Sequence, residues 1–457
     1  MVLWIGLDDT DSLHGMCTSF LATELVRELT QEFDLIGYPR LVRLNPNIPW
    51  KTRGNGALCV RVGRGRGSPR IIGQIAGQDV VSYPRGDSGG VPESVEATVG
   101  RLVERWSQFD DEATNPAFVI LRRQPSPGLY WKAVREVVAM DQALVSAKDL
   151  GVIRPYKNGR GVIGAVSATS WKPRDRTYEV LAYRHESRWG EPRRIDPESV
   201  IEMDRAFPST FNSYDYENGR VVIAPRSPCP ILFGIRGDDP LELRPALKTI
   251  RGEVPERWLI FETNQGTDDH VVERAPTEPY TTVRYRGFVT ALPRTIPGGH
   301  VVFSVFRYPV AAYEPSKGFR RIVRGLIPGD RVQVIGAIRK NPQTLNLEKL
   351  HVEYLASAVR KVANPMCPSC KKRAKSSGRG AGFRCLTCRR HLPASAADFA
   401  IIPRSLSPGW YEPSVGSRRH LSRPLKRSTA ERVAPLGIGT RAEKEPRAQF
   451  SAVRISE

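Results

Sequence analysis

The stretch 2-VLWIGLDDTDSLHGMCTSFLATELVRELTQEF-33 decides how the N-terminal half of this chain is read. VLWIGLD is a short apolar run of strand character, and SFLATELVRELTQEF sets Leu21, Leu25, Leu29 and Phe33 on one face of a helix. The two bracket a polar loop. Asp8, Asp9 and Asp11 sit within four positions of one another where that loop begins, ahead of Gly15 and Thr18. Acids in a row after a strand suit a hard divalent cation, which takes carboxylate oxygens and keeps substrate phosphates as further ligands. Strand alternation would point Asp9 and Asp11 one way and Asp8 the other, whereas a loop can turn all three inward. With Mg²⁺ there, the acids would position and neutralise the phosphates of ATP. Thr18, at the helix entry, has two readings: a hydroxyl nucleophile, or a plain N-cap.

Further along, LIGYPRLVRLNPNIPW and ALCVRVG look like strands around NPNIPWKTRGNG, whose Pro, Gly and Asn forbid regular structure. Lys51 and Arg53 of that loop, with Gly15, are candidate contacts to ATP. From about residue 117, AFVILRRQP, a helix YWKAVREVVAM and a strand TYEVLAYRHE suggest a second α+β domain. Gly159, Gly161 and Gly164 in GRGVIGA have dinucleotide-fingerprint spacing but lack the required strand–turn–helix context. They read instead either as a loop whose backbone N–H groups approach a ligand or as a plain turn before a small-residue helix. Short alternating strands from YTTVRYRGF to EKLHVEYL predict a small antiparallel barrel of the OB type. Of its aromatics Tyr280, Tyr285, Phe288, Phe303 and Phe306, most are expected in the core and one or two in a base-stacking groove.

CPSC (Cys367, Cys370) and CLTC (Cys385, Cys388) place four thiolates for a closed, structural Zn²⁺ site in a zinc ribbon. KKRAK and RRH around them make the ribbon a candidate nucleic-acid contact, with a bare structural staple as the alternative. The 457 residues carry a net charge of +21 and a pI near 9.9, and the basic residues are spread along the chain, which points to a polyanionic partner. No run of about twenty apolar residues and no basic-then-apolar leader occurs, so no membrane partner and a cytoplasmic location are expected. Seven cysteines with four clustered fit a reducing compartment. Residues after about 402, rich in Arg, Ser and Pro, are expected to form a loosely held basic extension.

Read in order, GLDDTDS…GMCTS, NPNIPWKTRGNG, RPYKNGRGVIGA, FNSYDYENGRVVIAP, CPILFGIRG, FETNQGTDDH, the four-cysteine ribbon and GWYEPS…RRHLSRPL closely resemble the archaeal agmatidine synthetases (the TiaS family) that act on the isoleucine tRNA with a CAU anticodon. The resemblance covers residues 1 to about 427. It implies a multidomain α+β chain: a kinase-like α/β domain at 1–116, which can take in part of 200–275, a ferredoxin-like domain at 117–275, an OB-fold at 276–357 and a zinc ribbon at 358–401, followed by the basic extension at 402–457 that composition suggests. It implies a ligase that uses ATP to phosphorylate the C2 oxygen of the first anticodon cytidine and lets agmatine displace the phosphate, so that the tRNA reads AUA. On that resemblance Asp8, Asp9 and Asp11 match the catalytic acids and Thr18 an autophosphorylated threonine. Agmatine needs a carboxylate or carbonyl cage, for which Asp215, Asp268 and Asp269 are candidates. A non-catalytic RNA-binding protein and an ATP-dependent modifier of another RNA are the competing readings.

Overall fold

In the computed structural model, which describes residues 2–87, 93–378, 380–429 and 453–454, β1 (Leu3–Asp8) lies inside a sheet covered on both faces. Its alternation is strict. Leu3, Ile5 and Leu7 enter one core, with Phe20, Leu21, Leu25 and Leu29 of α1 (Thr18–Leu29), while Trp4 packs against the core of the opposite face. Phe33 lies past the end of that helix, packed on the same core.

β2 (Asp34–Ile36), β3 (Arg40–Arg43), β4 (Gly56–Arg66), β5 (Arg70–Ile75), β6 (Gln78–Tyr83) and β7 (Arg85–Asp87) follow, then α2 (Glu93–Trp106) and β8 (Ala117–Leu121). YWKAVREVVAM breaks into α3 (Gly128–Arg135) and, after an extended Glu136, α4 (Met140–Ala147). The β-branched Val137 and Val138 occupy the break, as their restricted side-chain rotamers favour extended backbone. β9 (Gly151–Pro155), α5 (Gly161–Ser170), β10 (Thr177–Tyr183), α6 (Pro197–Ala206), β11 (Thr210–Phe211), β12 (Tyr214–Asp215), β13 (Arg220–Val221), β14 (Ile231–Gly237), α7 (Pro240–Thr249) and β15 (Arg257–Thr263) come next.

The boundary expected at 116/117 cuts through one sheet. β8 pairs with β1 and β9 with β8, and among the described residues the order β11-β14-β10-β15-β5-β6-β2-β4-β1-β8-β9 is continuous, with β3 bridging β15 and β4. Leu181, Leu259 and Phe261, from strands beyond that boundary, share the core of Ile5 and Leu25. The run AFVIL, five residues buried on both faces, carries no sign of which sheet it joins.

Residues 285–335 and 343–411 form a second compact unit. After β16 (Val271–Glu273), strands β17 (Thr282–Ile296), β18 (His300–Val305), β19 (Tyr308–Ala312), β20 (Arg331–Ile338) and β21 (Leu345–Tyr354) follow the order β16-β17-β18-β19-β21-β20, and a β17–β20 pairing makes the sheet barrel-like. Phe303 is in its core, while Tyr285, Phe288 and Phe306 meet edge to face and Phe306 is 44% exposed. A small three-stranded ribbon, Lys375–Ser376, Phe383–Arg384 and His391–Leu392, carries the cysteines.

Residues 403–429, the main described part of the stretch expected to be a loose extension, are held in the fold. Gly409–Tyr411 pairs with β21, and the segment from residue 412 belongs to the first unit, where Leu421 and Arg427 are buried. Arg427 binds Asp175 and Asp238, and Asp268 Oδ1 accepts the Arg423 N–H at 2.7 Å. Residues 430–452 and 455–457 lie outside the described residues. No helix among the described residues is long and apolar enough to cross a membrane.

Candidate active site

A cavity of about 360 Å³ opens in the first unit, and Asp8, Asp9, Asp11 and Thr18 all line it. β1 ends at Asp8, and Asp9 takes a left-handed backbone (φ 57°), which breaks the strand alternation and lets three closely spaced acids share one void. Met16 is also left-handed (φ 62°), so the loop reverses again before α1.

Asp8 points to the α5 face of the sheet. A Cβ on Gly164 would lie 1.8 Å from Asp8 Oδ2, and one on Gly161 would lie 2.9 Å from the Asp8 carbonyl oxygen. The N–H of Gly161 is spent on the Asn115 carbonyl (3.0 Å) and that of Gly159 on Tyr156 (2.9 Å). Gly159, Gly161 and Gly164 therefore do not form a loop of free donors. Gly161 and Gly164 let α5 close on β1, and Gly164 and Asp8 meet at the cavity wall. Gly15 is not among the lining residues.

Burial, with the neighbouring Asp9, raises the Asp8 carboxyl well above the ordinary carboxylate range. Burial also raises Asp9, against the pull of Arg160, whose Nη2 donates to Asp9 Oδ2 at 3.2 Å. Thr52 reaches Asp9 Oδ1 at 3.4 Å. Asp11 is held differently: Arg53 Nε donates to its Oδ2 at 3.0 Å, and Arg53 also binds the Met16 carbonyl and Ser227. Asp8 thus has no ion pair among the described residues, and Asp9 has only the single contact to Arg160. Asp8 and Asp9 together fit Mg²⁺, which is usually held by one or two carboxylates plus phosphates.

Thr18 is the first residue of α1, and Cys17, extended at φ −161°, occupies the cap position with no side-chain cap bond. The threonine is therefore not the N-cap. Its Oγ1 accepts from Thr10 Oγ1 at 3.0 Å, and a hydroxyl that accepts one bond still has its own proton to give. Cys17 lines the same wall, its thiol pushed up to about 11 by burial and by Cys229.

Lys51 and Arg53 also line the cavity, Lys51 Nζ resting on the Ile48 carbonyl at 3.1 Å, with burial and then Arg419 lowering its pKa. Sequence reasoning passed over Arg160, hidden between the two glycines it weighed, as well as Thr10, Arg43 and His420. His420 arrives on RRHLSRPL, a motif noted only for its resemblance. Its imidazole has surface open to the void but is ringed by protein, and this dehydration, with Arg43 and Arg236 nearby, holds it neutral, well below its usual pKa.

Asp215, Asp268 and Asp269 are not among the lining residues. Asp215 accepts from Asn218 Nδ2 (3.0 Å) and from the N–H of Gly416 (3.1 Å); burial opposes ionisation, but these bonds with Ser414 hold its carboxyl below the usual range. Asp268 anchors the C-terminal segment, and Asp269 accepts the Tyr130 hydroxyl at 2.5 Å. These acids secure the fold. Besides the acid cluster, the carboxylates lining the cavity are Glu136 and Glu179, and Glu179 is already engaged by Arg236 (2.9 Å) and Gln265 (2.5 Å).

In the ribbon, the sulfurs of Cys367, Cys370, Cys385 and Cys388 lie within 4.8 Å of one another, and those of Cys367 and Cys388 are 3.6 Å apart. Zn–S bonds of about 2.3 Å in a tetrahedron require sulfurs about 3.8 Å apart, so the donor set and its size fit Zn²⁺. Each CxxC turn is closed by a backbone bond, Cys367 N–H to Lys372 and Cys385 N–H to Arg390, both 2.9 Å.

A two-faced sheet ending in an acid cluster, a barrel-like sheet and a four-cysteine ribbon define a multidomain α+β class with a zinc ribbon. Family models match three segments: the TiaS TCKD domain at residues 4–157, the TiaS FLD domain at 159–270 and the TiaS C-terminal zinc ribbon domain at 364–406. The 2-agmatinylcytidine synthetase TiaS of isoleucine-2 tRNA from Methanocaldococcus jannaschii is 38% identical over 93% of this chain and 99% of its own length. Its counterpart from Archaeoglobus fulgidus is 39% identical over 94% and 99%. The solved structure of a complex of TiaS with isoleucine-2 tRNA and ATP superposes with a TM-score of 0.79 at 37% identity, covering 93% of this chain and 97% of that one. A complex of TiaS with the same tRNA, AMPCPP and agmatine gives 0.78 at 35%, with the same coverage. The chain belongs to the TiaS family.

Proposed function

We propose that this protein is an ATP-dependent 2-agmatinylcytidine synthetase acting on the isoleucine tRNA with a CAU anticodon. The observation that carries the reading is the convergence of Asp8, Asp9, Asp11 and Thr18 with Lys51, Arg53 and Arg160 on one cavity, in a chain similar over 93–94% of its length to relatives named for that synthesis.

The chemistry explains the parts. The C2 oxygen of cytidine is amide-like and a poor leaving group, whereas a phosphate leaves readily, so phosphorylation divides one hard substitution into two feasible steps. First, the C2 oxygen attacks the γ-phosphorus of ATP, forming an O–P bond as the bond to ADP breaks. Then the agmatine amine bonds to C2, the C2–O bond breaks with release of phosphate, and the amine gives up a proton. Asp8 and Asp9 are the residues that would hold Mg²⁺, which when bound neutralises the triphosphate. Lys51 and Arg160 supply positive charge beside it, and Arg53 holds Asp11 and the Met16 turn in place. Thr18, at the positive end of α1, is the hydroxyl placed to take a phosphoryl group, with Thr10 orienting its oxygen. Residues 4–157 act as the kinase-like domain and 159–270 as the ferredoxin-like one. The barrel acts as an OB-fold and, with the basic ribbon, grips tRNA, and the reaction belongs to the cytoplasm, where tRNA is used.

The test is incubation with ATP, Mg²⁺, agmatine and a CAU-anticodon isoleucine tRNA, then mass analysis of the digested nucleosides. A cytidine heavier by the agmatine condensation, dependent on ATP and lost in Asp8→Ala, is expected. Absence of the adduct from folded, tRNA-bound wild type would overturn the reading.

A further inference from the structure

Trp50 is the one indole or phenyl ring among the residues that line the cavity, and it is 44% exposed. Such a ring loses hydrophobic stabilisation by facing solvent, yet the loop that presents it is firmly held. Asn45 Nδ2 donates to the carbonyls of Glu136 (3.0 Å) and Tyr280 (2.9 Å), Asn47 Nδ2 donates to Thr282 Oγ1 (3.0 Å), and Asn55 Nδ2 donates to the Asn45 carbonyl (2.8 Å). Arg419 closes over Asn47 Oδ1 at 2.8 Å. Tyr280 leans on the indole, with centroids 6.4 Å apart and planes at 59°, which steadies the ring without stacking over its face.

The position along the loop is informative. Trp50 is followed by Lys51, Thr52 and Arg53, and Thr52 touches Asp9. Two residues of chain span at most about 7 Å, so the indole stands one nucleotide's reach from the acids and cations suited to a phosphate. We infer that Trp50 is a stacking platform for a nucleobase whose phosphate, own or acquired, lies at the Asp9, Lys51 and Arg53 end of the cavity. The inference rests on the proposed reaction, which brings two such bases to the site: the adenine of ATP and the target cytosine.

Two binding measurements separate these sources. The first is the affinity for ATP by calorimetry without tRNA. The second is quenching of pyrrolo-cytidine built into the tRNA at the first anticodon position, titrated with protein. Each is run on wild type, Trp50→Leu, which keeps apolar bulk without a π face, and Trp50→Phe, which restores one. Loss of one base–aromatic stack corresponds to a fall of about 5- to 150-fold in the affected affinity, equivalent to about 1–3 kcal/mol. With Trp50→Leu the fall is expected in ATP affinity if adenine is the occupant, or in quench and tRNA affinity if the cytosine is, with Trp50→Phe within about fivefold of wild type in either case. The thermal midpoint, which an exposed ring hardly sets, should stay near wild type. If Trp50→Leu keeps both ATP affinity and quench within about twofold, or if Trp50→Phe falls as far as Trp50→Leu, the platform is refuted. Failure of wild type to form the modified nucleoside would refute the proposed reaction instead and leaves the two binding results to decide the stacking.

Discussion

Replacing Gly164 by alanine isolates the contact that aims Asp8. A Cβ there would stand 1.8 Å from Asp8 Oδ2 and 2.4 Å from its Cγ, against 3.4 Å or more in ordinary contact. With α5 and β1 unmoved, the carboxylate must retreat by well over an ångström. A displacement of about 1 Å at a reacting centre costs on the order of 100-fold in rate, so product formation should fall at least that far. Stability should move much less. Glycine to alanine within a helix gains up to about 1 kcal/mol, while overpacking costs about 1–3 kcal/mol, leaving a net loss of roughly 0–2 kcal/mol. Denaturant unfolding and the nucleoside assay read the two quantities separately. The background Asp8→Gly removes the atoms that the new methyl would meet, and there Gly164→Ala should stabilise by up to about 1 kcal/mol. Wild-type turnover by Gly164→Ala, or an equal destabilisation with and without the Asp8 side chain, would refute the reasoning.

Three further outcomes follow from other contacts. Because burial raises Asp8, the folded state holds a proton that the unfolded chain releases near pH 4, so the charge costs nothing below that pH and its cost grows as pH rises towards the folded value. Asp8→Asn should therefore melt with wild type near pH 4 and above it at pH 8 without Mg²⁺; a gap independent of pH would exclude this origin. Arg53→Gln frees Asp11 and the Met16 carbonyl and should cost about 1–2 kcal/mol, discounted for side chains still 19% exposed, together with most activity. Unchanged stability in denaturant titration would show the pair to be idle. Zinc analysis by atomic emission should find one Zn²⁺ per chain, lost with Cys385→Ser, and a full complement in that variant would place the metal elsewhere.

What the sequence made legible followed from local physics. An apolar strand, three acids and an amphipathic helix mark Asp8, Asp9 and Asp11 as a candidate cluster with Thr18 within reach, their catalytic roles coming from the family resemblance, and two CxxC pairs suffice for the ribbon. What it hid was long-range. Nothing in AFVIL says that it pairs with β1 rather than opening a new domain, because a strand buried on both faces shows no polar side. Arg160 is masked between Gly159 and Gly161, and Gly161, with Gly164, serves close packing rather than free N–H donation. Asp215, Asp268 and Asp269 were drawn from acid-rich turns, and only the structure reveals that their oxygens are engaged within the fold, two of them by a segment some 150 to 200 residues away.

His420 stands at the cavity wall, and its carbonyl accepts the N–H of Gly266 at 2.8 Å. During synthesis the ribosome delivers the acid loop some 400 residues ahead of this histidine, so over that interval the pocket is an unfinished vessel. A nascent chain can build the sheet long before it owns a working site. Stops falling between residues 237 and 412 would yield proteins with every lining acid present and the His420 wall missing.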